Sequence, residues 1–375
     1  MRKRVLYVLD YFHPHRWGVE TVFGHITGHF GDIYDVTVLT SCFDPKLPQY
    51  EKYNNIHIVR VCTSRLMFML FGWFFGLLYF AKNKTSFDLI HTSTYGWALS
   101  GWILSLLLRI PVILTIHEVF ARLWLRYKWR YKWSLYWLME FLIFCLPFDY
   151  YHSVSLSTFN AVRLLYGIKD TRHCMIYNGV DNDFWYPESV SEQEKQSLRQ
   201  KLHWTDRYVV LYYWHSGVSK GLDLLVDSIP ALCRKYPDIL IVFNLIPAKR
   251  DLYIRDRIHG QGMKDHVHVY DGFSLHELRS LVAASDVVVA PSLSEWFGSV
   301  HAEVSALWQK LITTHYASIP EVVSGKIFFL PSRDIDSLLD GVSHMRSHKI
   351  EAISSKRFDW KLSFDQFADL YTLFM

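Results

Sequence analysis

Short apolar runs recur along the chain, and most of them are followed by a longer segment with apolar residues at helical spacing. The runs are rich in β-branched residues, which is typical of strands buried on both faces of a parallel sheet. Strands that alternate with helices in this way predict doubly wound α/β domains. The predicted strands are residues 4–9, 36–40, 56–61, 88–91, 111–117, 208–213, 239–243, 266–270, 286–290, 310–314 and 327–330.

The run at residues 286–290 is followed by a loop and then by apolar residues at helical spacing, which are Val300, Val304 and Leu307. This order predicts a strand, a loop and a helix that begins near Gly298. The N-terminus of such a helix directs free N–H groups and the positive end of the helix dipole into the loop. Because glycine also lets a ligand come close to the backbone, this loop is a candidate phosphate site.

Two carboxylates bracket the candidate phosphate site, since Glu295 lies in the loop and Glu303 lies inside the helix. At ~1.5 Å of rise per residue, Glu303 lies roughly 7 Å along the helix axis from Gly298. The two acids are therefore too far apart to share a proton, but they can bind separate hydroxyl groups of one elongated ligand. The alternative is an ordinary amphipathic helix with solvent-exposed acids.

Length and composition allow two domains, because the chain has 375 residues and 50% of them are hydrophobic. The five cysteines form no C-x-x-C pair and leave an odd one over, which favours reduced thiols. The N-terminus has only a short strand-like apolar run and no cleavable signal, so we expect a cytoplasmic protein.

The charge is divided unevenly between the two halves of the chain. Residues 1–187 contain 19 Lys and Arg against 13 Asp and Glu, a balance of +6, whereas the remainder contains 21 against 23, a balance of −2. A basic N-terminal half fits a surface that meets anionic lipid or a phosphorylated substrate, and it would also fit nucleic acid.

One uncharged apolar run, residues 66–81, is bounded by Arg65 and Lys82. As a helix it reaches ~24 Å, which is short of the ~30 Å hydrocarbon core of a bilayer, so a full membrane span is disfavoured. We favour a buried helix, and an interfacial helix is the alternative.

A second segment, residues 122–137, interleaves cations with aromatic residues and precedes the apolar run 138–146. Aromatic rings at headgroup level and cations that face anionic lipid are typical of a helix on a membrane surface. Nucleic-acid binding and an ordinary folded surface are the alternatives. We predict an anionic membrane surface as a partner, and no nucleic acid. The cations are Arg122, Arg126, Lys128, Arg130 and Lys132.

The spacing of Glu295 and Glu303 resembles the E-x7-E motif of the retaining glycosyltransferases of family four, and residues 317–323 resemble the next signature of that family. The resemblance implies the GT-B architecture, in which two doubly wound Rossmann-like domains face each other across a cleft. The implied parts are an acceptor-binding domain at 1–187, a nucleotide-sugar-binding domain at 188–357 and a terminal helix at 358–375 that returns to the first domain.

The resemblance also implies the roles of individual residues. The donor phosphates would lie at the helix opened by Gly298, the ribose on Glu303 and the sugar hydroxyls near Glu295. His117, which ends a predicted strand, would face the acceptor and the donor sugar, although a lone histidine can also be structural. The implied catalytic residues are His117, Lys220 and Glu295, and the implied donor-binding residues are Gly18, His215, Lys220, Phe297, Gly298, Ser299 and Glu303.

Two positions depart from the family pattern. Trp17, next to Gly18, stands where the family has a second glycine, and His215 stands where the family has an arginine. A histidine offers no guanidinium fork and only a partial charge at neutral pH. These departures leave open a protein that binds a nucleotide sugar without transferring it.

The function implied by the resemblance is that of a hexosyltransferase, which moves a sugar with retention of configuration from a UDP- or GDP-linked donor to a glycan acceptor. No cofactor and no metal ion are expected, and the sequence Asp181-Asn182-Asp183 is interpreted as a turn. The basic N-terminal half, the apolar run 66–81 and the cation-aromatic segment 122–137 together suggest a lipid-linked acceptor and a peripheral position on the inner face of the cell membrane. We expect a role in cell-surface polysaccharide assembly. The alternatives are a non-catalytic nucleotide-sugar-binding partner of a glycan-assembling complex and a GT-B nucleotide-sugar epimerase.

Overall fold

The computed structural model describes residues 2–15, 18–61, 64–121, 130–214, 217–245, 251–260, 263–347 and 350–375, with side chains except at 130–133, 218, 251–254 and 259. The chain divides into unit 1, Met1–Gly179 with Trp360–Met375, and unit 2, Val180–Asp359. The sequence placed these boundaries at 187/188 and 357/358. The chain passes between the units next to a close contact of Gly179 with Trp360, since a Cβ at Gly179 would lie 2.4 Å from the Trp360 ring. This packing sets the observed boundaries.

In the described part of unit 1, eight strands form one sheet in the order β3, β4, β2, β1, β5, β6, β7, β8, and β3 pairs antiparallel to β4. The strands are β1 (Arg4–Leu9), β2 (Asp35–Thr40), β3 (Tyr50–Tyr53), β4 (Ile56–Arg60), β5 (Leu89–Ser93), β6 (Val112–Ile116), β7 (Tyr150–Ser153) and β8 (His173–Met175). The helices are α1 (Gly18–Gly31), α2 (Arg65–Lys82), α3 (Gly96–Leu108), α4 (Arg130–Cys145), α5 (Leu156–Tyr166) and, from the end of the chain, α13 (Trp360–Thr372).

The helices of unit 1 cover both faces of its sheet. The chain steps from β1 through α1 to β2 in one direction, and from β4 to β8 in the opposite direction. Because such connections are right-handed, α2, α3, α4 and α5 lie on one face and α1 lies on the other, where α13 packs against it. The direction reverses between β1 and β5, so the carboxyl ends of these strands form the topological switch point, where ligands bind in open α/β sheets.

A buried chain of hydrogen bonds fixes α13 on the sheet of unit 1. The hydroxyls of Tyr7 and Tyr371 lie 2.8 Å apart, and that of Tyr371 lies 2.6 Å from Nδ1 of His91. On the far side of that ring, Nε2 lies 2.6 Å from Oγ1 of Thr115, which in turn lies 2.9 Å from Nδ1 of His152. Because a buried polar group is costly without its partner, this chain holds α13 in one position.

In the described part of unit 2, six parallel strands form a sheet in the order β11, β10, β9, β12, β13, β14. The order reverses between β9 and β12, so the carboxyl ends of these two strands form a second switch point. The strands are β9 (Tyr208–Trp214), β10 (Ile239–Leu245), β11 (Val267–Tyr270), β12 (Val287–Ala290), β13 (Leu311–Thr313) and β14 (Ile327–Phe329). The helices are α6 (Glu192–Lys201), α7 (Leu222–Lys235), α8 (Asp251–Gly260), α9 (Leu275–Ala284), α10 (Ser299–Ala306), α11 (Ile319–Val322) and α12 (Ile335–Ser347).

The predicted fold class is confirmed, and each predicted strand coincides with an observed one. Sequence analysis missed β3, β7 and β8. The edge strand β3 has only exposed and half-buried side chains, and β7 and β8 are 4 and 3 residues long. None of these segments therefore contains the long apolar run on which the prediction depended.

The prediction of a buried helix over residues 66–81 is wrong. This segment forms α2, and its buried residues make a single stripe of Phe68, Gly72, Gly76 and Phe80. The two glycines allow close packing, since a Cβ at Gly76 would lie 2.6 Å from the Leu39 side chain. Among the described helices, α2 is the one whose length and apolar composition would suffice to cross a membrane, with a mean hydropathy of 1.3. Seven large apolar side chains of α2 are exposed to solvent, and they are Leu66, Met67, Leu70, Phe71, Phe74, Phe75 and Leu78.

Candidate active site

The loop between β12 and α10 leads directly into a helix N-terminus that has no side-chain cap. Gly298 precedes α10 with φ 79°, a left-handed conformation that favours glycine. Since no side chain of the described residues binds the first-turn N–H groups, these groups remain available to an anionic ligand. The predicted helix that begins near Gly298 is thus confirmed.

Glu295, in the same loop, is held by three hydrogen bonds to its carboxylate. Lys220 Nζ donates to Oε1 at 2.8 Å and to Oε2 at 2.9 Å, and Ser292 Oγ donates to Oε1 at 2.7 Å. Burial by itself would raise the pKa of Glu295, but the charge of Lys220, the nearby His301 and the hydrogen bonds from Lys220 and Ser292 together outweigh burial, so the pKa is lowered. Glu295 is therefore ionised and paired with Lys220.

Backbone contacts fix both partners of this ion pair. Ser318 donates its N–H and its hydroxyl to the carbonyl oxygen of Glu295, at 3.1 Å and 2.9 Å. Next to Lys220, Gly221 has φ 70°, and a Cβ there would lie 1.9 Å from the carbonyl oxygen of Pro291. The segments before α7, α10 and α11 therefore meet at one point, which requires glycine at position 221.

Glu303 lies one turn into α10 and is half-buried. The hydroxyl of Tyr213 donates to its Oε2 at 3.3 Å. Burial raises the pKa of Glu303 to about 8, although the Tyr213 hydrogen bond opposes the shift. The side chain is thus mostly protonated at neutral pH, in contrast to Glu295.

Several of these side chains line one pocket of unit 2, at the carboxyl ends of β9 and β12. Lys220 lies beside the indole of Trp214, with Nζ 5.3 Å from the ring centroid. The pocket combines a cation, an ionised carboxylate and a helix N-terminus, which together suit a ligand with phosphates and hydroxyl groups. Its polar and aromatic lining comprises Tyr212, Tyr213, Trp214, Lys220, Ser292, Glu295, Ser299 and His301.

In unit 1, His117 directly follows β6 at the carboxyl edge of the sheet. It is 9% exposed, and its Nε2 has no hydrogen-bond partner among the described residues. Burial lowers the pKa of His117 to about 3, and the nearby His152 adds to the shift. The imidazole is therefore neutral and available for a hydrogen bond to a ligand.

Two family models match the chain, since Glycosyltransferase Family 4 matches residues 18–184 and Glycosyl transferases group 1 matches residues 194–357. An uncharacterized glycosyltransferase of Methanocaldococcus jannaschii is 25% identical over 333 residues, which are 84% of this chain and 81% of that protein. The phosphatidylinositol N-acetylglucosaminyltransferase gpi3 subunit of Schizosaccharomyces pombe is 27% identical over 147 residues, 38% of this chain and 30% of that protein. The crystal structure of Anabaena HepE in complex with UDP-glucose has a TM-score of 0.77 at 18% identity and covers 99% of both chains.

The two family matches fall on the two doubly wound units and together cover most of the chain. The chain belongs to the GT-B glycosyltransferases of family 4. The predicted family is thereby confirmed, whereas the roles that its E-x7-E motif implies for Glu295 and Glu303 stay predictions.

Not every residue that the family resemblance implied lines the pocket of unit 2. Phe297 is buried, and its ring packs edge-on against Phe358 at 5.4 Å between centroids, so its side chain belongs to the core. Gly18 is the first residue of α1, and a Cβ there would meet nothing within 4 Å. Trp17 and His215, the two departures from the family 4 pattern, lie outside the described residues.

His301 also lines the pocket of unit 2, although the sequence assigned no role to it. It is 1% exposed, and its Nε2 lies 2.9 Å from Oγ1 of Thr313 and 3.3 Å from the carbonyl oxygen of Ala290. A donating Nε2–H leaves Nδ1 as an acceptor, and this atom faces Gly298 without a partner among the described residues. The sequence could have indicated His301 as a site residue, because it lies three residues after Gly298, on the first turn of α10.

The sequence Asp181-Asn182-Asp183 forms a turn, as predicted. Oδ1 of Asp181 accepts the backbone N–H groups of Asp183 at 3.2 Å and Phe184 at 3.1 Å. No group of three or more metal-ligating side chains occurs in the described ranges. Independence from metal ions stays a prediction for this family 4 glycosyltransferase.

Proposed function

We propose that this glycosyltransferase moves a hexose from a UDP- or GDP-linked donor to a lipid-linked glycan acceptor, with retention of configuration and without a metal ion. The observation that carries the proposal is the pocket of unit 2, where Lys220, Glu295 and the N-terminus of α10 converge at a topological switch point. Structures of HepE contain UDP and UDP-glucose, which supports a nucleotide-sugar donor for a chain of the same fold.

Each group of the pocket has a part in the proposed transfer. The free N–H groups of α10 and Lys220 would bind the diphosphate and stabilise the charge that develops when the bond from C1 to the phosphate oxygen breaks. Ionised Glu295 would accept hydrogen bonds from the sugar hydroxyls. The acceptor oxygen would bond to C1 on the same face, and its proton would pass to the departing diphosphate, so that no enzyme carboxylate becomes glycosylated.

The outer surface of unit 1 supports action at a membrane. Helices α2 to α5 cover one face of the sheet and expose many large apolar side chains. The sequences of these four helices contain five cationic residues and one acidic residue, Glu140. Glu140 is only 2% exposed, and its carboxylate accepts hydrogen bonds from the backbone N–H groups of Phe120 and Ala121. Such a surface suits anionic lipid, which agrees with a peripheral position on the inner face of the cell membrane. The exposed side chains include Leu66, Leu70, Phe71, Phe74, Phe75, Leu78, Leu106, Leu107, Leu135, Leu138, Phe141, Leu142, Leu164 and Leu165.

The cation-rich segment of residues 122–129 lies outside the described residues, and the side chains of Arg130 and Lys132 are not described either. The membrane proposal therefore rests on α2 and its neighbours. The name of the Schizosaccharomyces pombe relative, a phosphatidylinositol N-acetylglucosaminyltransferase subunit, supports a lipid acceptor within the family. Assembly of a cell-surface polysaccharide is the role that we propose for such a transfer.

The test is a transfer assay with radiolabelled UDP- and GDP-sugars and a cell-membrane lipid extract as acceptor. We expect a labelled glycolipid whose anomeric configuration, measured by NMR coupling constants, matches that of the donor. EDTA should leave the rate unchanged. Lys220→Met should abolish transfer, whereas Lys235→Met, which changes a lysine at the end of α7, should not.

Other outcomes distinguish the alternatives. Conversion of the donor to an epimer without a glycolipid product would favour the epimerase. Nucleotide-sugar binding with neither transfer nor hydrolysis would favour a non-catalytic partner of a glycan-assembling complex. An inverted product would contradict the proposed mechanism.

A further inference from the structure

Among the buried polar atoms of unit 1 that have no hydrogen-bond partner in the described residues, three cluster at the ends of neighbouring strands. They are Oγ of Ser93, Oγ1 of Thr94 and Nε2 of His117, on side chains that are 1%, 3% and 9% exposed. Ser93 ends β5, Thr94 follows it, and His117 follows β6, which pairs with β5. Because buried polar groups are rarely left unpaired, these atoms indicate a ligand with hydroxyl groups.

These atoms lie at the topological switch point of unit 1. Strand β1 pairs with β5 so that Val8 is level with Thr92, and two further residues bring Asp10 level with Thr94. Asp10 is 5% exposed. The carboxyl ends of β1, β5 and β6 therefore form one polar edge, at the place where an open α/β sheet binds its ligand.

Arg65, the first residue of α2, provides a charge at this edge. Its Nε lies 2.6 Å from Oδ2 of Asp10, and its guanidinium lies 4.7 Å from the centroid of the Tyr11 ring. Asp10 is itself fixed, because its carbonyl oxygen accepts the hydroxyls of Thr40 at 2.7 Å and Ser41 at 2.6 Å. The arginine is thus oriented by a buried carboxylate and by an aromatic face.

The terminal nitrogens of Arg65 donate no hydrogen bond to the described residues, and the side chain is 56% exposed. A planar guanidinium with both terminal nitrogens open can bind the oxygens of a phosphate in a bidentate manner. Because its orientation is already fixed, less side-chain entropy is lost when the anion binds. Asp10 therefore acts as a positioning residue for Arg65.

We propose that unit 1 binds an acceptor that carries a phosphate group next to its hydroxyl groups, with Arg65 on the phosphate and Ser93, Thr94 and His117 on the hydroxyls. The inference rests on the proposed function and names the chemical class of its acceptor. A sugar phosphate in solution and the phosphate of a lipid headgroup share this chemistry.

The first test is a calorimetric titration of the full chain with inorganic phosphate. The wild type should show two sites, one at Arg65 and one at Lys220 and α10. Lys220→Met should remove the second, and adding Arg65→Gln to that variant should weaken the remaining site at least about tenfold. Arg163→Gln is the matched control, because Arg163 is also a half-exposed arginine of the same helix layer, paired with Asp170 at 3.5 Å.

The outcomes separate this inference from the donor site. If Arg65→Gln binds phosphate as the Arg163→Gln control does, the inference is overturned and the donor site is unaffected. If Lys220→Met retains both sites, the donor assignment is wrong and the Arg65 site stands. Arg65→Lys keeps the charge without the planar fork, so it should fold normally and bind phosphate more weakly than the wild type.

The second test identifies the source of the phosphate. Glycerol 1-phosphate in solution and phosphatidylcholine vesicles that contain phosphatidic acid are compared as probes of the wild type, Arg65→Gln and Arg163→Gln. Selective loss of binding in Arg65→Gln with either probe supports the inference and identifies the source. Equal binding by all three proteins to both probes would refute it.

Discussion

The protonation of Glu303 gives a quantitative prediction for nucleotide binding. The family resemblance implies that Glu303 binds the ribose of the donor. A carboxylate can accept hydrogen bonds from both ribose hydroxyls, so the ionised form of Glu303 should be the form that binds the nucleotide. With a pKa of about 8, roughly one tenth of the Glu303 side chains are ionised near pH 7 and nearly all near pH 9. The dissociation constant for UDP should therefore fall roughly tenfold between about pH 7 and about pH 9, and the fall from about pH 6 should be close to a hundredfold.

Isothermal titration calorimetry with UDP across this pH range measures the effect. At neutral pH, UDP binding should also release nearly one proton from Glu303. The released proton is taken up by the buffer, so the measured binding enthalpy should change with the ionisation enthalpy of the buffer. Glu303→Gln is the control, because it removes the titrating group while the titration of UDP itself is unchanged. Its dissociation constant should exceed that of the wild type at alkaline pH and should vary much less with pH.

Folding stability tests the same pKa without a ligand. A carboxyl group whose pKa is raised in the folded state binds more protons there, so its contribution to stability decreases as pH rises from its ordinary value of 4.5 through about 8. Glu303→Gln should therefore melt at a higher temperature than the wild type near pH 9, with little difference near pH 5. Identical pH profiles of UDP affinity in wild type and variant would refute the reasoning.

Three further predictions concern the ion pair, the loop packing and the surface of unit 1. Glu295→Gln should lower the transfer rate about a hundredfold or more while the UDP dissociation constant stays nearly unchanged, and a parallel loss of UDP binding would contradict the assignment of Glu295 to the sugar. Gly221→Ala should lower the free energy of unfolding by ~1–3 kcal/mol or more in urea titrations, because its Cβ would clash with Pro291, whereas Gly260→Ala, at an open position, should not. Replacing Phe71, Phe74 and Phe75 by serine should abolish sedimentation with vesicles that contain phosphatidylglycerol, whereas Leu275→Ser in unit 2 should not; equal sedimentation of both variants would contradict docking through α2.

Sequence patterns predicted the parts of the site that depend on local structure. The run at 286–290 is long and apolar because β12 is buried on both faces, and Gly298 marks the helix start because its left-handed conformation favours glycine. Lys220 was found through its family motif. These signals lie within a few neighbouring residues, and so the sequence displays them directly.

Contacts between distant segments could not be predicted in this way. Lys220 and Glu295 are 75 residues apart and meet because β9 and β12 are neighbours in the sheet. Arg65 and Asp10 meet because α2 begins beside the end of β1. Neither pair has a spacing signal, since the strand order that joins them arises from the packing of the whole sheet.

The sequence by itself determined the strands, the helix that opens at Gly298, the family and the two-domain class, since each follows from local apolar periodicity or from a short motif. Only the tertiary structure decided the protonation of the two acids, because the pKa of a carboxyl group depends on its burial and on charges from other segments: Lys220 keeps Glu295 ionised, and burial keeps Glu303 protonated. It also decided that α2 faces solvent. The sequence of an apolar run is the same whether its helix is fully buried or exposes one face to solvent. The buried stripe through Gly72 and Gly76 determines which side of α2 packs against the rest of unit 1.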